Sequence, residues 1–280
     1  MADPAGLFTR EGRTLVGMLH LPPMPGSPRH DGTSLREIER RAVAEAELLA
    51  DAGFDAVLLQ NTGDGPGRKD ADLAEVAQMA AIGRAIRLAT DIPLGVNVLK
   101  NGVESVFALA SALAAEFVRI KVYVGAVVGS EGLVEGAAHA ALTARHRLGL
   151  DHVPILADIS DRTSRQLVDS PLTELAAWAI EHGNADALVI TGRDVAETQH
   201  MLAELRGSSV AVPLIVGGGA DETNAGDLLA VADGVIVGTA LKQTAGFDAP
   251  ISAARARDFV TAARLGDRSA TIVRPAAMGS

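Results

Sequence analysis

Along the 280-residue chain, short runs of Val, Leu, Ile and Ala alternate with longer stretches in which apolar side chains recur every three or four positions. The short runs predict strands at 14–20, 56–60, 93–99, 117–124, 153–158, 187–191, 212–217 and 234–239. The longer stretches predict helices at 34–53, 72–90, 102–115, 131–149, 171–183, 194–206, 222–232 and 250–265. In the first of them Leu35, Ile38, Ala42 and Ala46 fall on one stripe, and Gly53 follows as a C-cap. Eight strand–helix units without a linker or a composition break predict a single (β/α)8 barrel over residues 1–280, its core spanning about 14–265. An open doubly wound sheet is the competing architecture. The first ~10 residues and the closing RPAAMGS predict loosely anchored termini.

The strand-to-helix connections are unequal. Those at 21–33, 61–71 and 124–136 are long and rich in Gly, Pro and charge, whereas helix-to-strand connections such as DAGFD are short. In a barrel the long set lies on the rim where active sites are built, so function is expected there.

Composition narrows the classes. Apolar residues make up 48% and aromatics only 3%, which suits parallel strands buried on both faces beneath alanine-rich helices. A net charge of −10 disfavours nucleic acid and anionic lipid, so an anionic ligand must be attracted locally. With no cysteine, thiolate nucleophiles, disulfides and cysteine-ligated metals are excluded. No stretch reads as a signal peptide or reaches the ~20 apolar residues of a membrane span, so a soluble, cytoplasmic protein is expected. The alanine-rich helices predict packing against a second copy, a homo-oligomer.

The segment VGGGADETN, residues 216–224, sets three glycines between a strand and a helix. One would suffice for a tight turn; three suggest backbone N–H groups left bare for an anion, with the helix N-terminus adding partial positive charge. Gly217, Gly218 and Gly219, with Gly238 and Thr239 after the last strand, therefore predict a phosphate cup, and Lys242 could supplement it. The triplet is neither G-x-G-x-x-G nor a P-loop, and no cofactor is evident.

The other strand ends carry His20, Gln60 with Asn61, Asn97, Lys121, Asp158 and Thr191. Alternation places Arg119 and Lys121 on one face of the fourth strand, and Asp158 is their expected partner, as a structural ion pair or as catalytic machinery. Asp158, Lys121, His20, Asn61 and Asn97 are the catalytic candidates; Gln60, Arg119 and Thr191 complete the rim. The loop charges Asp64, Lys69, Asp70 and Glu131 are candidates for either function or solvation. No metal-binding histidine pair occurs; a hard cation held by Asp64, Asp158 and phosphate oxygens stays open.

VGMLHLPPMPGSPRHDG, QNTGDGPGRKD, PLGVNVLKN, GAVVGSEGLVEG and ADGVIVGTALK occur in this order over roughly residues 14–245. Together they resemble the BtpA/SgcQ family, which implies a TIM-type barrel. The family is named after a photosystem I biogenesis factor yet occurs in organisms without photosynthesis, and the resemblance does not fix an activity. Relative to it, Gln60-Asn61 replaces a usual Glu-Asn, and Lys121 a common Asn. After the fifth strand DISDRTS replaces DVHVKHA, with Ser160, Arg162 and Thr163 at the sites of His, Lys and His. Two functions are therefore expected to compete. One is an enzyme acting by acid–base or imine chemistry on a phosphorylated small molecule, as a lyase, isomerase or glycosyl transferase. The other is a non-catalytic ligand-binding assembly or stability factor.

Overall fold

Eight apolar runs pair edge to edge, all in parallel, and the ring closes. In the computed structural model, which describes residues 4–9 and 13–270, the chain opens with a single helical turn α1 (Pro4–Leu7) and the strands β1 (Thr14–His20), β2 (Ala56–Gln60), β3 (Leu94–Asn97) and β4 (Phe117–Ile120). An excursion, β5 (Ala126–Gly129) and β6 (Gly132–Glu135), precedes β7 (Ile155–Asp158), and a short β8 (Arg165–Gln166) precedes β9 (Ala187–Ile190), β10 (Leu214–Val216) and β11 (Gly234–Val237). The barrel order is β1-β11-β10-β9-β7-β4-β3-β2, and β6-β5-β8 form a separate antiparallel sheet.

The helices are α2 (Leu35–Ala52), α3 (Leu73–Ala89), α4 (Val103–Leu113), α5 (Ala138–Arg147), α6 (Leu172–Ala177), α7 (Val195–Arg206), α8 (Ala225–Val231) and α9 (Ala253–Ala270). Local chemistry fixes their ends. Ser34 with Glu37 and Asp72 with Glu75 form capping boxes at the starts of α2 and α3, and Gly53 takes φ 95° to end α2. Helix α6 runs on into a π turn over Trp178–His182.

Three expectations change. The fourth strand stops at Ile120, and the segment read as loop and helix start contains the β5–β6 hairpin, turned at Gly132 with φ 82°. Helix α5 therefore begins at Ala138 rather than 131, because residues 132–135 pair with 126–129. The described part of the N-terminal segment is anchored at Phe8, which is buried and meets Phe117 edge to face at 5.0 Å. The RPAAMGS tail lies outside the described residues.

Inside the ring, Phe8, Val16, Leu58, Phe117, Leu156, Val189, Ile215 and Ile236 fill the lower barrel. Gly95 leaves the space for Phe117, since a Cβ there would lie 2.2 Å from its ring. Two residues further along β4 the interior turns polar at Arg119, and the next inward position is Lys121. The apolar plug thus forms the floor of a charged mouth at the carboxyl ends of the strands.

Candidate active site

Arg119 lies within the barrel and is almost fully buried. Its Nε and Nη2 donate to the two oxygens of Asp158 at 2.8 and 2.9 Å, a fork-to-fork pair between β4 and β7. Lys121 Nζ donates to the same carboxylate at 2.5 Å. Gly217 makes room for this arrangement: a Cβ there would stand 2.4 Å from Thr191 Oγ1 and 2.9 Å from Arg119 Nη2. The first glycine of the triplet is therefore a packing requirement of the arginine.

Lys121 also faces Asp161 at 3.4 Å, and Asp161 accepts from Lys100 Nζ at 2.9 Å. Burial, and then the Arg119 charge, lower the Lys121 pKa below the ordinary ammonium range. Burial opposes ionisation of Asp161, yet Lys121, Thr163 and Lys100 hold its carboxyl well below the usual range.

A row of polar side chains crosses β1, β2 and β3 in register, His20 beside Gln60 and Gln60 beside Asn97. Gln60 donates to Asn97 and accepts from Thr62 Oγ1, while Asn97 Nδ2 donates to the Arg119 carbonyl at 2.8 Å. His20 is partly buried and packs against Gly238, where a Cβ would come 2.5 Å from its ring. Burial, assisted by Lys242 and Arg119, pushes its pKa down to about 3, so the imidazole is neutral at physiological pH.

The mouth is a cavity of about 490 Å³. Among its lining residues are His20, Lys100, Lys121, Glu131, Arg162 and Gly217–Gly219, with Gln60, Arg119, Thr191, Gly238 and Thr239 completing much of the wall. Four cations, Lys100, Arg119, Lys121 and Arg162, meet three carboxylates, Asp158, Asp161 and Glu131, so the site is locally positive in a chain of net charge −10. Three of its lining residues carry a buried atom without a hydrogen-bond partner: His20 Nδ1, Glu131 Oε2 and Thr191 Oγ1.

The glycine triplet divides its labour. The Gly217 amide donates to Ile190 O at 2.9 Å and is not free. Among the described residues, no group accepts from the amides of Gly218 or Gly219. The Arg162 guanidinium stands over both, 3.2 Å from where a Gly218 Cβ would lie and 3.7 Å from the Gly219 position. The helix dipole expected here is missing: α8 starts only at Ala225, and Asp221 accepts from the amides of Thr223 and Asn224 in the intervening turn.

Other candidates lie elsewhere. Asn61 is a strut, accepting from Leu99 N at 2.7 Å and donating to Glu75. Asp64 lines a different cavity, and Lys69 and Asp70 are exposed. Lys242 does not serve the cup: it is buried behind the barrel wall and faces Glu45 at 3.5 Å. Lys100 and Asp161 escaped the sequence reading. Lys100 directly follows the third predicted strand, and Asp161 lies in the same DISDRTS string as Ser160, Arg162 and Thr163. Among the described residues no three His, Asp or Glu side chains converge as a metal-ligand set, and no helix is long and apolar enough to cross a membrane.

Comparison with known proteins places this geometry in a family. The chain is 37% identical over 258 residues to an uncharacterized protein of Thermococcus kodakarensis, covering 91% of this chain and 96% of that one. It is 35% identical to the photosystem I biogenesis protein BtpA of Synechocystis, covering 91% and 89%. Among solved structures it superposes on tryptophan synthase from Mycobacterium tuberculosis with a TM-score of 0.60 at 18% identity, covering 90% and 93%, a likeness of fold. The model of the BtpA family matches residues 11–265, and the chain belongs to that family.

Proposed function

We propose that the barrel mouth is the active site of an enzyme acting on a phosphorylated small molecule. The observation that carries this reading is the pair of unpartnered amides at Gly218 and Gly219 beneath the Arg162 guanidinium. Two N–H donors and a planar cation lying side by side suit the oxygens of a phosphoryl group, and Gly238 and Thr239 line the adjoining wall.

The reacting end of the ligand would then lie over Lys121, whose pKa burial and the Arg119 charge lower in the direction that carbonyl addition needs. Addition of Lys121 Nζ to a substrate carbonyl carbon, with loss of water, gives an imine; the same amine serves acid–base steps. Asp158 is a counter-ion in this scheme, because Arg119 and Lys121 occupy both of its oxygens. Glu131, with a buried unpartnered oxygen, and neutral His20 are the groups left to move protons. Thermal melting with inorganic phosphate and with simple phosphate esters tests the ligand class. A rise in Tm that sulfate reproduces only weakly supports it; no rise at millimolar concentration contradicts it.

A second reading, a ligand-binding assembly factor without turnover, draws on the name of the 35% identical BtpA relative. It predicts that Lys121→Ala leaves ligand binding and biological effect intact. The macromolecular partner we propose under either reading is a second copy of the chain. Val128, Leu133, Leu167 and Val168 are exposed on and beside the small antiparallel sheet and offer the apolar surface for it.

A further inference from the structure

Beside the mouth lies a second cavity, of about 340 Å³, walled by the segment after β7, by β8 and by helices α6 and α7. It adjoins the mouth, because Asp161, Arg162 and Thr191 line both. Arg162 borders the two spaces, and on the mouth side its guanidinium stands over Gly218 and Gly219. It has no hydrogen bond or ion pair among the described residues, so it is free to serve a ligand.

The charges of this cavity leave none for a charged guest. Three guanidiniums, Arg162, Arg165 and Arg193, face three carboxylates, Asp161, Asp169 and Glu197. Arg193 is spent on Glu197 at 2.7 Å, and Asp161 on Lys100 and Lys121 at 2.9 and 3.4 Å. Arg165 and Asp169 offset one another in sign, which leaves Arg162 for a phosphoryl group at the mouth. A ligand portion that enters the second cavity is therefore neutral.

The rest of the lining is mixed. Val127, Ile159 and Leu175, themselves buried, give it apolar walls, with Leu172 and Met201 beside them. The side chains of Ser164, Gln166 and Ser170 make no hydrogen bond among the described residues, so donors and acceptors stand open along the same cavity. An apolar body with a hydrogen-bonding edge suits such a lining. A flat one also lies well against the planar Arg162 guanidinium at the border.

We infer, resting on the reading of the mouth as a phosphate site, that the adjoining cavity receives a neutral, planar heterocycle of the same substrate. The substrate class is then an ester of the nucleoside monophosphate type, with its phosphoryl group on Gly218, Gly219 and Arg162. A bare sugar phosphate would leave the second cavity unfilled.

Isothermal titration of the full chain with inorganic phosphate, ribose 5-phosphate and the common ribonucleoside 5′-monophosphates separates the two levels of this reading. The tightest nucleotide should bind about tenfold or more tightly than ribose 5-phosphate, the order of gain that one stacked base supplies. Ribose 5-phosphate binding as tightly as every nucleotide overturns the ring subsite and leaves the phosphate site standing; no binding by any of the compounds overturns both. A second readout needs no substitution. With carbon-13 at the methionine methyls, the Met201 signal should move with the tightest nucleotide and not with ribose 5-phosphate, whereas Met18, at the mouth, should respond to both. A Met201 signal unmoved by bound nucleotide overturns the subsite. Met201→Trp, which fills the cavity, should remove the advantage of the nucleotide and keep the Kd for inorganic phosphate. Gln166→Ala, at an exposed position, should weaken the nucleotide several-fold and leave ribose 5-phosphate unaffected. Unaltered nucleotide affinity in both variants likewise overturns the subsite.

Discussion

Arg119 and Asp158 meet through two parallel hydrogen bonds of 2.8 and 2.9 Å inside the barrel, just above the apolar plug. Lys121 closes on the same carboxylate from the mouth side. This cluster ties the fold to the candidate site: it places a lysine of lowered pKa beside the cavity, and it needs the bare backbone of Gly217 next to it.

Removing the shared carboxylate charge strands the buried Arg119 and leaves Lys121 only its 3.4 Å contact with Asp161. Asp158→Asn should therefore destabilise the chain by about 3–5 kcal/mol, the range for breaking a buried pair. Urea denaturation measures it. A loss under about 1 kcal/mol would mean that water reaches the cluster and that the carboxylate is not its keystone.

Gly217 and Gly218 should separate in their effects on stability. Gly217→Ala drives a methyl into Thr191, Val189 and Arg119 and should cost about 1–3 kcal/mol through overpacking. Gly218→Ala meets the far end of Arg162 at 3.2 Å and Thr191 only at ordinary contact distance, and should melt within about 1 °C of the parent. Calorimetry of the two variants checks the contrast; equal losses would contradict the division of labour within the triplet.

Much of this was legible in the sequence, and what was not has identifiable causes. Period and loop asymmetry carried the barrel, because each apolar run is a barrel strand and each periodic stretch contains a helix. Alternation carried Arg119 and Lys121 to one face, and strand order carried Asp158 to them. The β5–β6 hairpin was hidden because AVVG and GLVE are short and separated by Ser130-Glu131, so a glycine-rich string reads as loop. Phe8 was hidden because anchoring a terminus under a barrel is a long-range contact with no local signal. The roles of Asn61 and Lys242 carry no local signal for a similar reason: their partners, Glu75 with Leu99 and Glu45, come from other elements.

His20 should make stability pH-dependent. Its folded-state pKa lies near 3, below the unfolded value of about 6.5. The unfolded chain therefore takes up a proton first as pH falls. The stabilisation is complete above pH 6.5 and is lost through the interval from 6.5 to 3, with a slope of up to ~1.4 kcal/mol per pH unit. His20→Asn should flatten the part of the profile between pH 6.5 and 5, above the carboxylate range. A profile unchanged by the substitution would show that the imidazole is solvated.

Asp64 has the opposite sign. Its folded pKa is raised, to about 6, so its contribution is full below pH 4 and is lost as pH rises through 6. Asp64→Asn should therefore gain Tm over the parent between pH 4 and pH 8. Melting curves at the two pH values test this; a parent more stable than the variant at pH 8 would contradict it.

Lys121 should be the residue that traps a carbonyl. Incubation with phosphorylated aldehydes or ketones of three to six carbons, followed by borohydride, should add the reduced substrate mass to the peptide carrying Lys121. Lys121→Arg should keep the fold and lose the adduct. Adducts scattered over surface lysines and retained in Lys121→Arg would restrict Lys121 to proton transfer.

The most direct test of the phosphate cup is isothermal titration of inorganic phosphate into the parent chain and into Gly218→Ala, since a methyl there comes 3.2 Å from Arg162 Nη2 and crowds the open amides while leaving the barrel intact. The account predicts saturable binding by the parent and at least a tenfold weaker Kd in Gly218→Ala, at an unchanged melting temperature. Equal affinities in the two chains, or no binding by the parent, would contradict it.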